Sequence, residues 1–127
     1  MLRSSTILIV EDDPLARRAL QSLFAINGYT VRAVASAEDA LKLLHDSAAA
    51  RPARVLIDID LPGMNGLELL GRLQEEQPAL ACTLMSANDP DQVRRQRGVR
   101  AVPFFPKPLN MRRLLTHLRG ARDAPAA

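Results

Sequence analysis

The sequence has 127 residues, 47% of them hydrophobic and 24% charged, the size and balance of one globular domain rather than of a disordered or fibrous chain. A single cysteine, Cys82, excludes an intramolecular disulfide framework or a zinc cluster, no apolar stretch approaches the ~18 residues of a membrane span, and Arg3 is followed by no long apolar core or small-residue cleavage site, so a cytoplasmic protein is expected. The net charge of +3 is unevenly spread: residues 1–91 carry 8 basic and 13 acidic side chains, net −5, whereas residues 92–127 carry 9 basic and 1 acidic, net +8.

The first apolar run covers residues 6–10 and is followed at once by Glu11, Asp12 and Asp13. Asp13-Pro14 reads as an N-cap with proline at the first helical position. Beyond it Ala16, Ala19, Leu20 and Leu23 recur at i, i+3, i+4 and i+7, the spacing of one helical face. A second run, 30–34, leads to Ser36 and Asp39, spaced as a capping box, and to Ala37, Ala40, Leu41 and Leu44 at helical spacing. The third run, 55–57, ends on Asp58, with Ile59 and Asp60 next. Asn65 and Glu68 then open a helix carrying Gly66, Leu69, Leu70 and Leu73. Cys82 lies in the fourth run, 80–85, where it reads as a small buried hydrophobe, and Ser86 follows. Asp89-Pro90 starts the weakest helix, 89–100, which is poor in apolar residues and contains Arg94, Arg95, Arg97 and Arg100. The fifth run, 101–105, precedes Lys107. Pro103 and Pro106 remove two backbone donors around it, which places this strand at a sheet edge. Asn110 caps a last helix with Met111, Leu114, Leu115 and Leu118, and a short disordered Ala/Pro tail is expected at 121–127.

Apolar runs that alternate with amphipathic helices imply βαβ units and a parallel sheet covered on both faces. No repeat or linker divides the chain, so residues 1–127 are expected to form one domain with its core over 5–120.

The acids collect where such a sheet places its crevice, beyond the carboxyl ends of the strands. If the first and third strands are neighbours, Glu11, Asp12 and Asp13 meet Asp58 and Asp60 there. Clustered carboxylates repel unless a cation neutralises them, and a hard divalent ion such as Mg2+ suits an all-oxygen set. Each acid also has a plainer reading. Asp13 is first a helix cap, and Asp60 is equally a solvated loop acid. Asp58 ends an apolar strand, where an ionised group needs a partner, so a functional role is favoured. Ser86 alone is a turn residue and Lys107 alone a solvated lysine. Together with the acids they offer carboxylates, a hydroxyl and an ammonium, a set suited to a phosphoryl group. No GxxxxGK[ST] phosphate loop is present. His45 and His117 read as helix-surface residues away from this edge.

Four segments now resemble the receiver domain of two-component response regulators: Ile7-Leu8-Ile9-Val10-Glu11-Asp12-Asp13-Pro14, Leu56-Ile57-Asp58-Ile59-Asp60-Leu61-Pro62-Gly63-Met64-Asn65-Gly66, Met85-Ser86-Ala87 and Phe105-Pro106-Lys107-Pro108. The resemblance implies a flavodoxin-like (βα)5 α/β fold with strand order 2-1-3-4-5. It implies that Asp58 accepts a phosphoryl group from a histidine kinase or phosphotransfer protein. Asp12, Asp58 and the backbone carbonyl of Asp60 would ligate Mg2+, with Glu11 acting through water. Ser86 would hydrogen-bond the phosphoryl group and Lys107 would pair with it, while Phe104 matches the aromatic switch position. Asp60 and Asn88 match positions that, in similar domains, tune how long the phosphoryl group persists. A cis Lys107-Pro108 bond is also implied. The domain would assist its own phosphorylation and dephosphorylation without being an enzyme for an external substrate. Glu11 stands where aspartate is more usual. Phe104 lacks a phenolic hydroxyl, so its switching would rest on packing.

Two other readings stay open at this point. Asp58-Ile59-Asp60 also resembles the nucleophile motif of haloacid-dehalogenase-like phosphatases, although there the motif strand comes first and a further acid pair follows the lysine. Arg94-Arg95-Gln96-Arg97 and Arg100 suggest a nucleic-acid-binding face, but aromatic residues are only 3% of the chain, too few for a base-stacking platform. An acidic protein surface is the preferred partner for the basic face made by 89–100, the fifth strand and the last helix. The receiver resemblance is equally compatible with a stand-alone regulator and with a domain of a longer protein, and it leaves room for homodimerisation on phosphorylation.

Overall fold

The computed structural model describes residues 6–46, 51–88 and 102–123. Five strands, β1 (Thr6–Val10), β2 (Thr30–Val34), β3 (Arg54–Asp58), β4 (Ala81–Ser86) and β5 (Phe104–Pro106), form one parallel sheet of order β2-β1-β3-β4-β5. Four helices lie among the described residues: α1 (Pro14–Ile26), α2 (Ala37–His45), α3 (Gly66–Glu76) and α4 (Met111–Asp123). The expected α/β architecture and strand order are therefore those observed. The arginine-rich segment 89–100, expected as a helix, lies outside the described residues.

Strand alternation divides the core in two. Leu8, Val10, Val55, Ile57 and Leu84 point to the side covered by α2 and α3, where Ala40, Leu41, Leu44, Leu69, Leu70 and Leu73 meet them. Ile7, Ile9, Leu56 and Met85 point to the other side, where Leu20 and Phe24 of α1 and Leu114 and Leu118 of α4 cover them. Sequestering each such side chain is worth ~1.5–3 kcal/mol relative to exposure, which explains why the central strands are apolar on both faces.

The caps follow the sequence signals. Asp13 accepts from the Ala16 N–H, Ser36 from Asp39, Asn65 from Glu68 and Asn110 from Arg113, at 2.9–3.1 Å, satisfying donors that a helix start leaves open. Four expectations shift. Residues 121–123, expected as tail, are the last turn of α4, which runs to Asp123. The buried stripe of α1 is Leu20 and Phe24 rather than Leu20 and Leu23. Phe24 packs edge-on against Tyr29 with ring centroids 5.4 Å apart, and one residue of helix, about 100°, turns Leu23 outward beside exposed Leu15 and Ile26. The fifth strand begins at Phe104, three residues later than the apolar run, because only Phe104 to Pro106 lie in ladder with β4. His117 is half-buried, its ring 5.6 Å from Phe105. No helix among the described residues is long and apolar enough to cross a membrane.

Candidate functional site

β1 and β3 are hydrogen-bonded neighbours with Val10 opposite Ile57, so the residues that follow them emerge side by side. Asp58 is the last residue of β3 and only 2% exposed, and Glu11 is 1% exposed. Asp12 faces solvent. One carboxylate oxygen from each of Glu11, Asp12 and Asp58 comes within 4.8 Å of the others. Asp13, by contrast, is the cap of α1, which settles its plainer reading.

Lys107 reaches this cluster because β5 pairs with β4. The Lys107 N–H donates to the Ser86 carbonyl at 2.8 Å. Its Nζ then donates to Glu11 Oε1 at 2.7 Å and to Asp58 Oδ2 at 2.9 Å. The other Asp58 oxygen, Oδ1, accepts from the Asp60 N–H at 2.9 Å. Both carboxylate oxygens of Asp58 are thus held. The Lys107-Pro108 peptide bond is cis, as the resemblance implies.

Burial and ion pairing compete in the electrostatics. Burial pushes the Glu11 carboxyl above its ordinary value, with the Asp58 charge adding to the effect and the hydrogen bonds from Lys107 and the Asp13 N–H opposing it. Burial alone would lower the Lys107 ammonium, but its hydrogen bonds to Asp58 and Glu11 outweigh that and hold it above the usual lysine value. Among the described residues Lys107 is the one cation paired with these acids. Three carboxylates against one ammonium leave the cluster under-neutralised, and its donors are all hard oxygens. The residues fit a divalent cation of the Mg2+ kind.

Ser86, at the end of β4, is fully buried. Its hydroxyl donates to Asp60 Oδ2 at 2.9 Å and accepts from the Asn88 N–H at 2.9 Å, and Asn88 Nδ2 donates to Asp60 Oδ1 at 2.6 Å. Asp60 is therefore not a free loop acid. Phe104 is half-buried, paired in register with Leu84 and packed on the α2–α3 side of the core.

Two contributors were not legible in the sequence. Arg17 Nη1 donates to the carbonyls of Glu11 at 2.9 Å and Asp12 at 3.2 Å, tying α1 to the acid loop. Glu38 Oε2 accepts from the Met64 N–H at 3.3 Å, tying α2 to the loop after β3. Neither type nor spacing marks these residues, since an arginine or glutamate in a first helical turn is ordinary.

The fold and this strand-end acid cluster define a flavodoxin-like domain with its site at the topological switch point. The family model of the response regulator receiver domain matches residues 7–119, and the chain belongs to that family. It is 31% identical over 115 residues to response regulator MprA of Mycolicibacterium vanbaalenii, covering 89% of this chain and 48% of that protein. It is 30% identical over 116 residues to a cyclic di-GMP phosphodiesterase of Thermotoga maritima, covering 88% of this chain and 30% of that one. The chain thus spans less than half the length of these curated relatives. Among solved structures, response regulator protein TrrA of Thermotoga maritima, in complex with Mg2+ and BeF, superposes with a TM-score of 0.81 at 25% identity over 91% of this chain and 96% of that one. The phosphatase and nucleic-acid-module alternatives are not favoured by these matches. The arginines that prompted the second, Arg94, Arg95, Arg97 and Arg100, lie outside the described residues.

Proposed function

We propose that residues 1–127, with a core over 5–120, act as one receiver unit in which Asp58 accepts a phosphoryl group from a histidine kinase or phosphotransfer protein. The observation that carries this reading is the Asp58 carboxylate, buried at a strand end, held by Lys107 Nζ at 2.9 Å and within 4.8 Å of the oxygens of Glu11 and Asp12. Asp12 and Asp58 would hold Mg2+ with the Asp60 backbone carbonyl, and Glu11 would act through water. When bound, the ion supplies positive charge beside the oxygens of the transferring phosphoryl group. A carboxylate oxygen of Asp58 attacks phosphorus in line, forming a P–O bond as the P–N bond of the donor phosphohistidine breaks. Lys107 neutralises oxygen charge at the same point, and its fixed position contributes without reorganisation. Ser86 then hydrogen-bonds a phosphoryl oxygen, and Phe104 responds by repacking. The change is read by a protein partner, preferentially acidic, on β5 and α4, in a cytoplasmic setting and with homodimerisation as one form of output. The domain assists its own modification and has no other catalytic role.

A small phosphodonor with Mg2+ tests the reading. The wild-type chain should gain the mass of one phosphoryl group, and Asp58→Ala should gain none. Equal labelling of both chains defeats it, as would robust turnover of phosphomonoesters.

A further inference from the structure

The side chain of Asp60 is held in an arrangement that bears on switching rather than on metal binding. Its two oxygens divide their work: Oδ2 accepts a hydrogen bond from the Ser86 hydroxyl and Oδ1 accepts one from the Asn88 side-chain amide. Asn88 closes the ring by donating its backbone N–H to the same Ser86 oxygen. Ser86 is fully buried while Asp60 and Asn88 are exposed. A hydroxyl has one proton to donate. While that proton is given to Asp60, it cannot be given to an oxygen on Asp58. The bond to a carboxylate is also charge-assisted and stronger than one between neutral groups.

We propose that Asp60 and Asn88 form a latch that holds the Ser86 hydroxyl in the resting arrangement, so that Ser86 engages a phosphoryl group on Asp58 only after the latch opens. The inference rests on Asp58 as phosphoacceptor. Asp60 is then a positioning residue acting through Ser86, and it opposes activation. The Asp60 N–H donates to Asp58 Oδ1, so one residue contacts the acceptor through its backbone and restrains the responding hydroxyl through its side chain.

Because a ligand shifts such an equilibrium only by its differential affinity for the two states, the latch lowers the affinity for any group that needs the freed hydroxyl. Beryllofluoride with Mg2+ is the probe, with binding followed by amide NMR shifts. Asp60→Ala should bind it roughly five- to tenfold more tightly than wild type, in line with the loss of one charge-assisted coupling. Asn88→Ala, which removes one arm, should show a smaller gain in the same direction. Simple charge repulsion between Asp60 and the anion is the competing account, and the Ser86→Ala background separates the two. The latch predicts that the gain from Asp60→Ala disappears there, whereas repulsion predicts that it persists. In the ligand-free protein, Asp60→Ala should also shift the Asn88 backbone amide resonance. Unchanged or weaker binding by Asp60→Ala, or a gain that survives in Ser86→Ala, overturns the latch. If wild type binds no beryllofluoride, or Asp58→Ala binds it equally well, the phosphoacceptor reading itself has failed.

Discussion

Gly66 packs directly against the backbone of Asp58 and Ile59, and replacing it tests how rigidly Asp58 is placed. The Gly66 N–H donates to the Ile59 carbonyl at 3.0 Å. A Cβ at Gly66 would lie 2.7 Å from the Ile59 Cα and 2.9 Å from the Asp58 carbonyl carbon, closer still to the Asp58 carbonyl oxygen, and real Cβ atoms essentially never come under 3.0 Å. Every one of these neighbours is backbone, so no side chain can swing away. Overpacking of this kind costs about 1–3 kcal/mol and sometimes more. Alanine's helix propensity would return at most about 1 kcal/mol, and less at the first helical position. We expect Gly66→Ala to lose about 2–3 kcal/mol net, lowering Tm by roughly 6–15 °C for a domain of this size. If Asp58 is the phosphoacceptor as proposed, any folded fraction should also phosphorylate poorly, because the displaced atoms are the backbone of Asp58 and Ile59. Gly71→Ala is the internal control. It lies within the same helix with nothing within 4 Å of its would-be Cβ, so it should gain about 0.5–1 kcal/mol from propensity alone. Thermal unfolding of both variants decides the matter. A Gly66→Ala protein as stable as wild type would refute the close approach of α3 to the Asp58 backbone.

Two further expectations follow from the electrostatics. Mg2+ should raise the Tm of the wild-type chain, since an ion that binds only the folded state stabilises it, and Asp12→Asn should lose most of that increment while unfolding near the wild-type temperature in its absence. An undiminished Mg2+ response in Asp12→Asn would remove Asp12 from the ligand set. Burial pushes the Cys82 thiol up to about 11. The folded chain therefore keeps a proton that the unfolded chain releases near pH ~8.5, so this group's contribution to stability is present at neutral pH and is lost as pH rises towards 11. Alkylation of the folded protein should climb about tenfold per pH unit between pH ~8 and ~10 without levelling. A plateau near pH ~9 would contradict the burial.

Much of this architecture could be read from the chain because the relevant signals are local. The runs 6–10 and 30–34 became β1 and β2 unchanged, and the caps at Asp13, Ser36, Asn65 and Asn110 fell where their residue types announce them. Two prolines placed β5 at the sheet edge, and the strand order agrees. Other features depend on tertiary packing and left no local trace. Leu23 follows Leu20 by three residues and Phe24 by four, both on a helical face, and it is Phe24 that is buried, packed against Tyr29. The resemblance brought Glu11, Asp12, Asp58, Ser86 and Lys107 together as a set, but the side-chain partners of Asp60 come from β4 and its following loop, 26 and 28 residues away. Arg17 reaches two backbone carbonyls, and no residue pattern encodes a carbonyl partner.

The shortness of β5 has a consequence beyond the placement of Lys107. A parallel sheet that ends in a long, regular strand offers a free rung to any other extended chain, which invites stacking of one molecule on another. Here the outermost strand is three residues long and includes Pro106, with Pro103 just before it. These prolines have no N–H to donate, so a newcomer would find too few partners to build a ladder. At the opposite border β2 carries exposed Arg32 in mid-strand, whose charge resists being covered by a flat neighbour. Both borders are therefore poor templates, and the sheet can hold a buried carboxylate at its carboxyl end while its flanks discourage aggregation.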